Sequence, residues 1–312
     1  MESRLLLKMT YSVKEIYEDV KKKFEGKKRW NHILGVKDLA LKLGKLYNLD
    51  LEKIEIAALL HDYAKYDSLE EQIVAINDQA IVEKFKDAKE IYHAFAAANI
   101  CQSKFGITDP TIIDMIRYHV YGRLNMNIYE KILVVADYAE ENRTYDSCIK
   151  CRNILEKDGF YQGLYFCIDS MIQYLERQGI KPFEEQYLIR EEIKGDLNRM
   201  ELLKLVKEAL DKVNAYDIKI YDLRGISPLA DFTVIASIDV IRQANGVVNY
   251  IEEKRQEYPD LKIRGIEGRE TTWILVDFYD VILHVFTKDE RMNFDLDKLY
   301  LNVPQIDLNL IK

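Results

Sequence analysis

The chain has 312 residues, 48% of them hydrophobic and 31% charged, and carries a net charge of −8 at pH 7. This describes a globular protein with room for two domains and excludes a disordered chain, which lacks the apolar side chains to fill a core. The acidic balance argues against direct DNA binding, since phosphate attraction needs a basic surface, and no apolar run of about 18 residues, the length of a membrane span, is present.

The opening MESRLLLKMTYSVKE has too short an apolar patch for a signal peptide and no small-residue cleavage site. A cytoplasmic location is therefore expected, with Cys101, Cys148, Cys151 and Cys167 as reduced thiols. Cys148 and Cys151 stand at CxxC spacing, but no second pair completes a zinc site and no thioredoxin-like strand precedes them, so they read as ordinary helix residues.

Up to about residue 180 the apolar residues recur at helical spacing, with almost no strand pattern. Lysines 21–23 with Lys27 and Lys28 read as a solvated helix face, and His32 then heads an apolar stripe of Val36, Leu39 and Leu43. Asp50 is the expected N-cap of LEKIEIAALL, whose apolar line Leu51, Ile54, Ala58 runs on to His61. On a continuing helix Lys65 falls about 40° around from His61 at about 100° per residue. His93 precedes Ala96, Ala97 and Ile100, in a helix that Gly106 closes. Asp109-Pro110 opens TIIDMIRYHVY, with proline at the first helical position, His119 on the line of Ile112 and Ile116, and Gly122 just past the end. Asp137 shares the face of Leu133 and Val134. Residues 179–198 mix glycine, proline and charge and read as a boundary.

Beyond it the pattern changes to a helix, RMELLKLVKEAL, followed by the alternating strands DIKIYDL, DFTVIAS, TWILVDF and VILHVF, with a charged helix over about 239–258. The expected organisation is a helical domain over 1–190, a linker over 191–198 and a small α/β domain with a mixed sheet over 199–312. A two-residue turn at Tyr279-Asp280 sets Ile274, Val276 and Phe278 against Val281, Leu283 and Val285 on an apolar core face. The opposite face carries Trp273, Leu275, Asp277, Ile282, His284 and Phe286. It reads as a second sheet face packed under a helix, or as a protein-binding surface in which Trp273, Asp277 and His284 take part and Trp273 is the anchor.

Four histidines from four helices thus point into one bundle interior, together with Asp62 and Asp137. Any one of them alone reads as a core histidine bonded to a carbonyl. Converging together, their lone pairs need cations between them. Imidazole plus carboxylate without thiolate suits iron, manganese or zinc. Six ligands exceed what one catalytic ion uses, so two ions bridged by Asp62 are expected, about 3.5–4 Å apart as in two-metal hydrolases. Lys65 is placed to neutralise or protonate a leaving group, while Arg29, three residues before His32, and Arg143 are placed to hold a phosphate.

The series Arg29-x-x-His32, HDYAK (His61, Asp62, Lys65), His93, YHVYG (His119, Gly122) and ADYAEENR (Asp137, Arg143) resembles the YqeK-type HD-domain hydrolases over about residues 10–190. The resemblance implies a helical HD-domain bundle that hydrolyses diadenosine tetraphosphate to two ADP, with a di-iron centre on His32, His61, Asp62, His93, His119 and Asp137. Val120, Ala97 and Glu141 stand where a threonine, a glycine and a proline are usual, and none of these changes removes a ligand. Over about 199–303, LRGISPLADFTVIAS, Arg242-Gln243, the YDVILHVF segment and RMNFDLDKLY are similar to the ribosomal silencing factors. That resemblance implies a nucleotidyltransferase-like α/β fold that binds the large-subunit protein uL14 and blocks 30S–50S joining, repressing translation. Two rival readings stay open: another nucleotide substrate, a deoxynucleoside triphosphate or guanosine tetraphosphate, or a binding protein whose metal site is structural. A homodimer is also left open.

Overall fold

The computed structural model describes residues 11–258 and 261–311. They form two compact units that divide between residues 193 and 194.

The first unit is all helix. Helix α1 (Val13–Phe24) starts at a capping box in which the Ser12 hydroxyl and the Glu15 carboxylate exchange bonds with each other's backbone. Helix α2 (Lys28–Leu46) buries His32, Ile33, Val36, Ala40 and Leu43 along one stripe. Helix α3 (Leu51–Leu60) is capped by Asp50 as expected and is apolar nearly all round, burying Ile54 and every residue from Ile56 to Leu60. An apolar helix of that kind belongs at the centre of a bundle, so its carboxyl end delivers His61 and Asp62 to the middle of the unit. Helices α4 (Leu69–Ile76) and α5 (Gln79–Lys84) precede α6 (Tyr92–Phe105), where Ala94, Ala96, Ala97 and Ala98 are buried and allow close packing. Gly106 ends α6 at φ +66°, a conformation that costs glycine nothing. Helix α7 (Pro110–Tyr118) has Asp109 as its cap and proline at its first position, and α8 (Ile128–Ala139) opens on an Asn127–Glu130 capping box. Helices α9 (Asp146–Lys157) and α10 (Phe160–Arg177) complete the bundle.

The expected linker over 191–198 contains the division between the two units, and it is helical. It lies inside α11 (Glu184–Lys212), a single helix of 29 residues. Helical geometry is interrupted earlier, at the left-handed Gly179 (φ +72°) just before Pro182, after which no proline interrupts α11. Gly195 costs about 1 kcal/mol relative to alanine in a helix interior, and the buried side chains on either side outweigh that. Ile189 and Ile193 enter the first core; Leu203, Val206 and Leu210 enter the second.

In the second unit five strands pair in the order β1-β2-β5-β4-β3, with β2 and β5 parallel and the other neighbours antiparallel. These are β1 (Tyr216–Asp222), β2 (Phe232–Ile238), β3 (Gly265–Glu267), β4 (Trp273–Asp277) and β5 (Val281–Thr287). The expected hairpin register holds: Ile274 pairs Val285 and Val276 pairs Leu283. Strand β3 was not anticipated, because three residues are too few to show an alternation. Every residue of β2 is buried, so both faces of the sheet are covered. One face packs against α11 and α12 (Ile241–Lys254), through Val206, Leu210, Val247 and Ile251. On the other, Tyr221, Ile235 and Phe286 lie under Trp273, Leu296, Tyr300 and Val303. Arg291, on α13 (Lys288–Phe294), ties this layer to the sheet by donating to both oxygens of Asp297 (2.9 and 3.1 Å) and to the Ser237 hydroxyl (2.9 Å).

Leu283 is fully buried at the sheet centre. Leu283→Ala is expected to destabilise the second unit by about 2–5 kcal/mol, lowering its thermal transition and leaving that of the first unit in place; calorimetry of the full chain checks this.

Candidate metal centre

Helix α3 stops at Leu60 for a local reason. The His61 ring takes up the Ala58 carbonyl through Nδ1 at 2.7 Å, competing for the acceptor that the Asp62 N–H would use in a continuing helix. The backbone then turns, with Tyr63 N–H bonded to Leu60 O (3.0 Å) and Lys65 N–H to Asp62 O (2.9 Å). The helical offset expected for Lys65 therefore does not apply, but the turn itself carries its Nζ to 3.3 and 3.4 Å from the two ring nitrogens of His93.

The same bond recurs at two other histidines. His93 Nδ1 meets the Glu90 carbonyl at 2.5 Å, and His119 Nδ1, just past the end of α7, meets the Ile116 carbonyl at 2.7 Å. A carbonyl can only accept, so each contact assigns the proton to Nδ1 and leaves Nε2 as a bare lone pair facing the interior. For His32 the Nδ1 partner is a side chain, Glu140, at 3.2 Å.

All the inward atoms then fall into two groups. In the first, Nε2 of His32 and Nε2 of His61 stand 3.3 Å apart, with Asp137 Oδ1 at 3.0 and 3.8 Å and Asp62 Oδ2 at 3.4 and 3.3 Å. In the second, Nε2 of His93 and Nε2 of His119 are 3.3 Å apart, with Asp62 Oδ1 at 3.0 and 4.0 Å. Within each group the donor atoms lie close enough to share an ion. Asp62 divides its carboxylate between them, one oxygen to each. Lone pairs opposed at this distance, in histidine side chains that are at most 10% exposed, repel unless a proton or a cation lies between them. The donor set therefore fits metal ions.

Without an ion the electrostatics separate the donors: the Asp62 and Asp137 carboxylates are held ionised and His119 neutral, as ligation requires, while His32 is held protonated. Burial raises the Asp62 carboxyl pKa, but His61, His32 and His93 outweigh it and hold the group well below the ordinary carboxylate range. Asp137 follows the same pattern, with Arg143 the largest opposing influence. At His32 burial works against the proton, yet Asp137, Asp62 and Glu140 push the pKa up to about 10, whereas burial takes His119 down to about 3. Lys65 is lowered, chiefly by burial. Arg29 Nη1 donates to Asp62 Oδ2 at 2.6 Å and Arg143 Nη2 to Asp137 Oδ1 at 2.9 Å, so both expected phosphate ligands stand directly on carboxylates of the centre.

Two contributors escaped the sequence reading. Glu140 is buried, and its second oxygen accepts from the Asn142 backbone N–H at 2.6 Å. Gly35 faces that same carboxylate oxygen so closely that a Cβ would strike it. Both stand three residues beyond a ligand, after Asp137 and His32, but an acid in a sequence is far more often solvated than buried. The four cysteines are buried, and burial pushes the Cys151 thiol up to about 12, which makes it inert.

In the second unit Trp273 stacks on Phe286 with ring centres 5.0 Å apart and donates its indole N–H to His284 Nδ1 at 3.2 Å. His284 is buried beneath it. Asp277 accepts from the Tyr279 N–H at 2.8 Å and closes the β4–β5 turn. Of the three expected partner residues, Trp273 is half-buried, His284 is buried beneath it and Asp277 closes the turn.

Comparison with known proteins divides the chain in the same way. Residues 29–142 match the HD domain model, and residues 196–312 match the model described as ribosomal silencing factor during starvation. A symmetrical bis(5'-nucleosyl)-tetraphosphatase of Bacillus subtilis is 35% identical over 162 residues, which is 51% of this chain and 86% of that protein. The ribosomal silencing factor RsfS of the same organism is 35% identical over 36% of this chain and 96% of its own length. A crystal structure from Clostridium acetobutylicum, described as an HD superfamily hydrolase involved in NAD metabolism, is 28% identical with a TM-score of 0.55, covering 60% of this chain and 99% of that one.

His284 generates a pH prediction for the second unit. Burial takes its pKa down to about 4 from an ordinary 6.5, so below 6.5 the unfolded chain binds the extra proton. Its contribution to stability is complete above pH 6.5 and is lost, at up to about 1.4 kcal/mol per pH unit, as pH falls toward 4. His284→Phe is expected to flatten this part of the acid limb in denaturant melts.

Proposed function

We propose, for a chain that belongs to the symmetrical bis(5'-nucleosyl)-tetraphosphatase family over its first half and to the ribosomal silencing factor family over its second, that one polypeptide carries a metal-dependent phosphoanhydride hydrolase and a repressor of translation. The substrate of the first unit is diadenosine tetraphosphate, and the products are two ADP. The observation that carries this reading is Asp62, whose two oxygens face two separate pairs of imidazole nitrogens. His32, His61, Asp62 and Asp137 would hold one divalent cation, and His93, His119 and Asp62 the other, with iron, which the resemblance implies, first and manganese next. Such a pair supplies Lewis acidity at a phosphoryl oxygen and lowers the pKa of the attacking water.

The chain's own groups do the rest. Arg29 and Arg143 retain partial exposure, at 22% and 30%, and their guanidinium groups reach from the carboxylates toward the polyphosphate, where forked N–H donors match phosphate oxygens. Water forms a bond to one inner phosphorus, the central P–O–P bond breaks, and the departing ADP oxygen takes a proton. Lys65, whose ammonium is made a readier donor by burial and lies 3.3–3.4 Å from the His93 ring nitrogens, would supply that proton. His61→Ala is expected to lower turnover by at least about 10³-fold and to abolish metal loading with it; product analysis of the unmodified protein yields ADP alone. Full turnover in a metal-free variant overturns the assignment.

For the second unit the partner is the large ribosomal subunit, through protein uL14, with the Trp273 side of the sheet as the contact. An acidic unit suits a protein surface better than bare RNA. Preincubating the full chain with 50S subunits is expected to reduce 70S formation on addition of 30S subunits in sedimentation profiles, and undiminished joining at saturating protein refutes this half of the reading.

A further inference from the structure

The two halves of the centre are built unequally. The first group has four donor atoms, including an undivided share of Asp137, while the second has three and only its half of Asp62. Behind the first group stands a further carboxylate, Glu140 Oε1, 3.2 Å from His32 Nδ1 and 1% exposed. The corresponding partners of His61, His93 and His119 are neutral carbonyls. An imidazole that donates to a carboxylate is a more basic ligand through its other nitrogen than one that donates to a carbonyl. Beside the second group lies the opposite influence, the Lys65 ammonium at 3.3–3.4 Å from the His93 ring nitrogens. Arg29 and Arg143 offset part of the charge at the first group, but they are two cations against the three anions Asp62, Asp137 and Glu140.

We infer that the His32, His61, Asp62, Asp137 position is the tighter metal position and fills first, that the His93, His119, Asp62 position is the weaker, exchangeable one, and that Glu140 is the positioning residue behind the difference. This rests on the two-ion reading above. The structure spends several contacts on keeping Glu140 where it is. Its Oε2 accepts from the Asn142 backbone and side-chain N–H groups at 2.6 and 2.9 Å. Arg152 Nη1 holds the Ala139 and Glu140 carbonyls at 3.1 and 2.6 Å. Gly35 leaves the room that the carboxylate occupies.

Glu140→Gln tests the role with nearly unchanged shape. If the Gln oxygen faces His32, its amide N–H₂ is set against the Asn142 donors. If it faces Asn142, the N–H₂ meets Nδ1 of His32 and drives the ring proton to Nε2, where it blocks the ligand position. Either way His32 is a poorer ligand. The metal-free full chain is titrated with Mn²⁺ and followed by calorimetry and electron paramagnetic resonance. Unmodified protein is expected to take two ions with affinities at least about tenfold apart, the first equivalent showing an isolated-ion spectrum and the second a spin-coupled pair. Glu140→Gln weakens the tighter event by about 10–100-fold and leaves the other in place. Gly35→Ala, which displaces the carboxylate tip without altering it, shifts the same event and guards against a folding defect in the first variant. Equal affinities in the unmodified protein, an unchanged tighter event in Glu140→Gln, or equal weakening of both events overturns the inference while leaving the two-ion reading intact. A single ion at saturation sinks both.

Discussion

The first unit depends on a buried carboxylate that must satisfy two clusters at once. Asp62 is 2% exposed, and ionised it would be prohibitive to bury alone. It is tolerated because Arg29 pairs with it and because imidazoles from four elements approach its two oxygens. Several features of the helical fold follow from that requirement. An apolar helix must run through the centre to deliver the residue, and it must end on delivery, since the side chains beyond Leu60 leave the helical line. Flanking helices must then present one histidine each at matching depth.

Aiming those histidines uses little extra structure. At His61 and His119 the ring bonds a carbonyl of its own helix end, and at His93 a carbonyl of the preceding short 3₁₀ turn. One contact thereby satisfies a backbone group that a helix end leaves unpaired and fixes the tautomer that turns Nε2 inward. His32 lies within α2, near its start, and lacks such a carbonyl. Its orientation comes from Glu140 across the bundle, which is why that position needs Gly35, Asn142 and Arg152 as additional supports. The asymmetry of the centre thus originates in where each ligand falls on its helix.

The second unit solves a different problem. Its strand β2 is buried on both faces, so one face needs α11 and α12 and the other needs α13 with the segment that follows. The Arg291–Asp297 pair fastens that outer layer, and it holds the Asp297 carboxyl below the ordinary range despite the opposing effect of burial. Trp273 sits at the margin of this layer, packed against Phe286 and Phe294 and oriented by His284. An aromatic held in one place by such contacts keeps little conformational freedom to lose on binding a partner.

Much of this was already in the amino-acid order. Periodicity of 3.6 put four of the five histidines on apolar lines of separate helices, although His61 and His119 fall just past the ends of α3 and α7, alternation located four of the five strands, and the Tyr279-Asp280 turn specified the hairpin register, because one residue of slip would turn every side chain over. Composition places the division between the units at residues 191–198, through Gly195 and the charges, but the helix that runs through them rests on burial of Ile189, Ile193 and Leu203 on either side, which composition does not register. The turn at 61–66 depended on an imidazole competing for the Ala58 carbonyl, and the part played by Glu140 depended on α2 and α8 lying side by side. Local pattern determines which face of an element is apolar and where an element can begin. Which polar group meets which across that face is decided only when the elements pack, because such contacts join residues as far apart in the chain as His32 and Glu140.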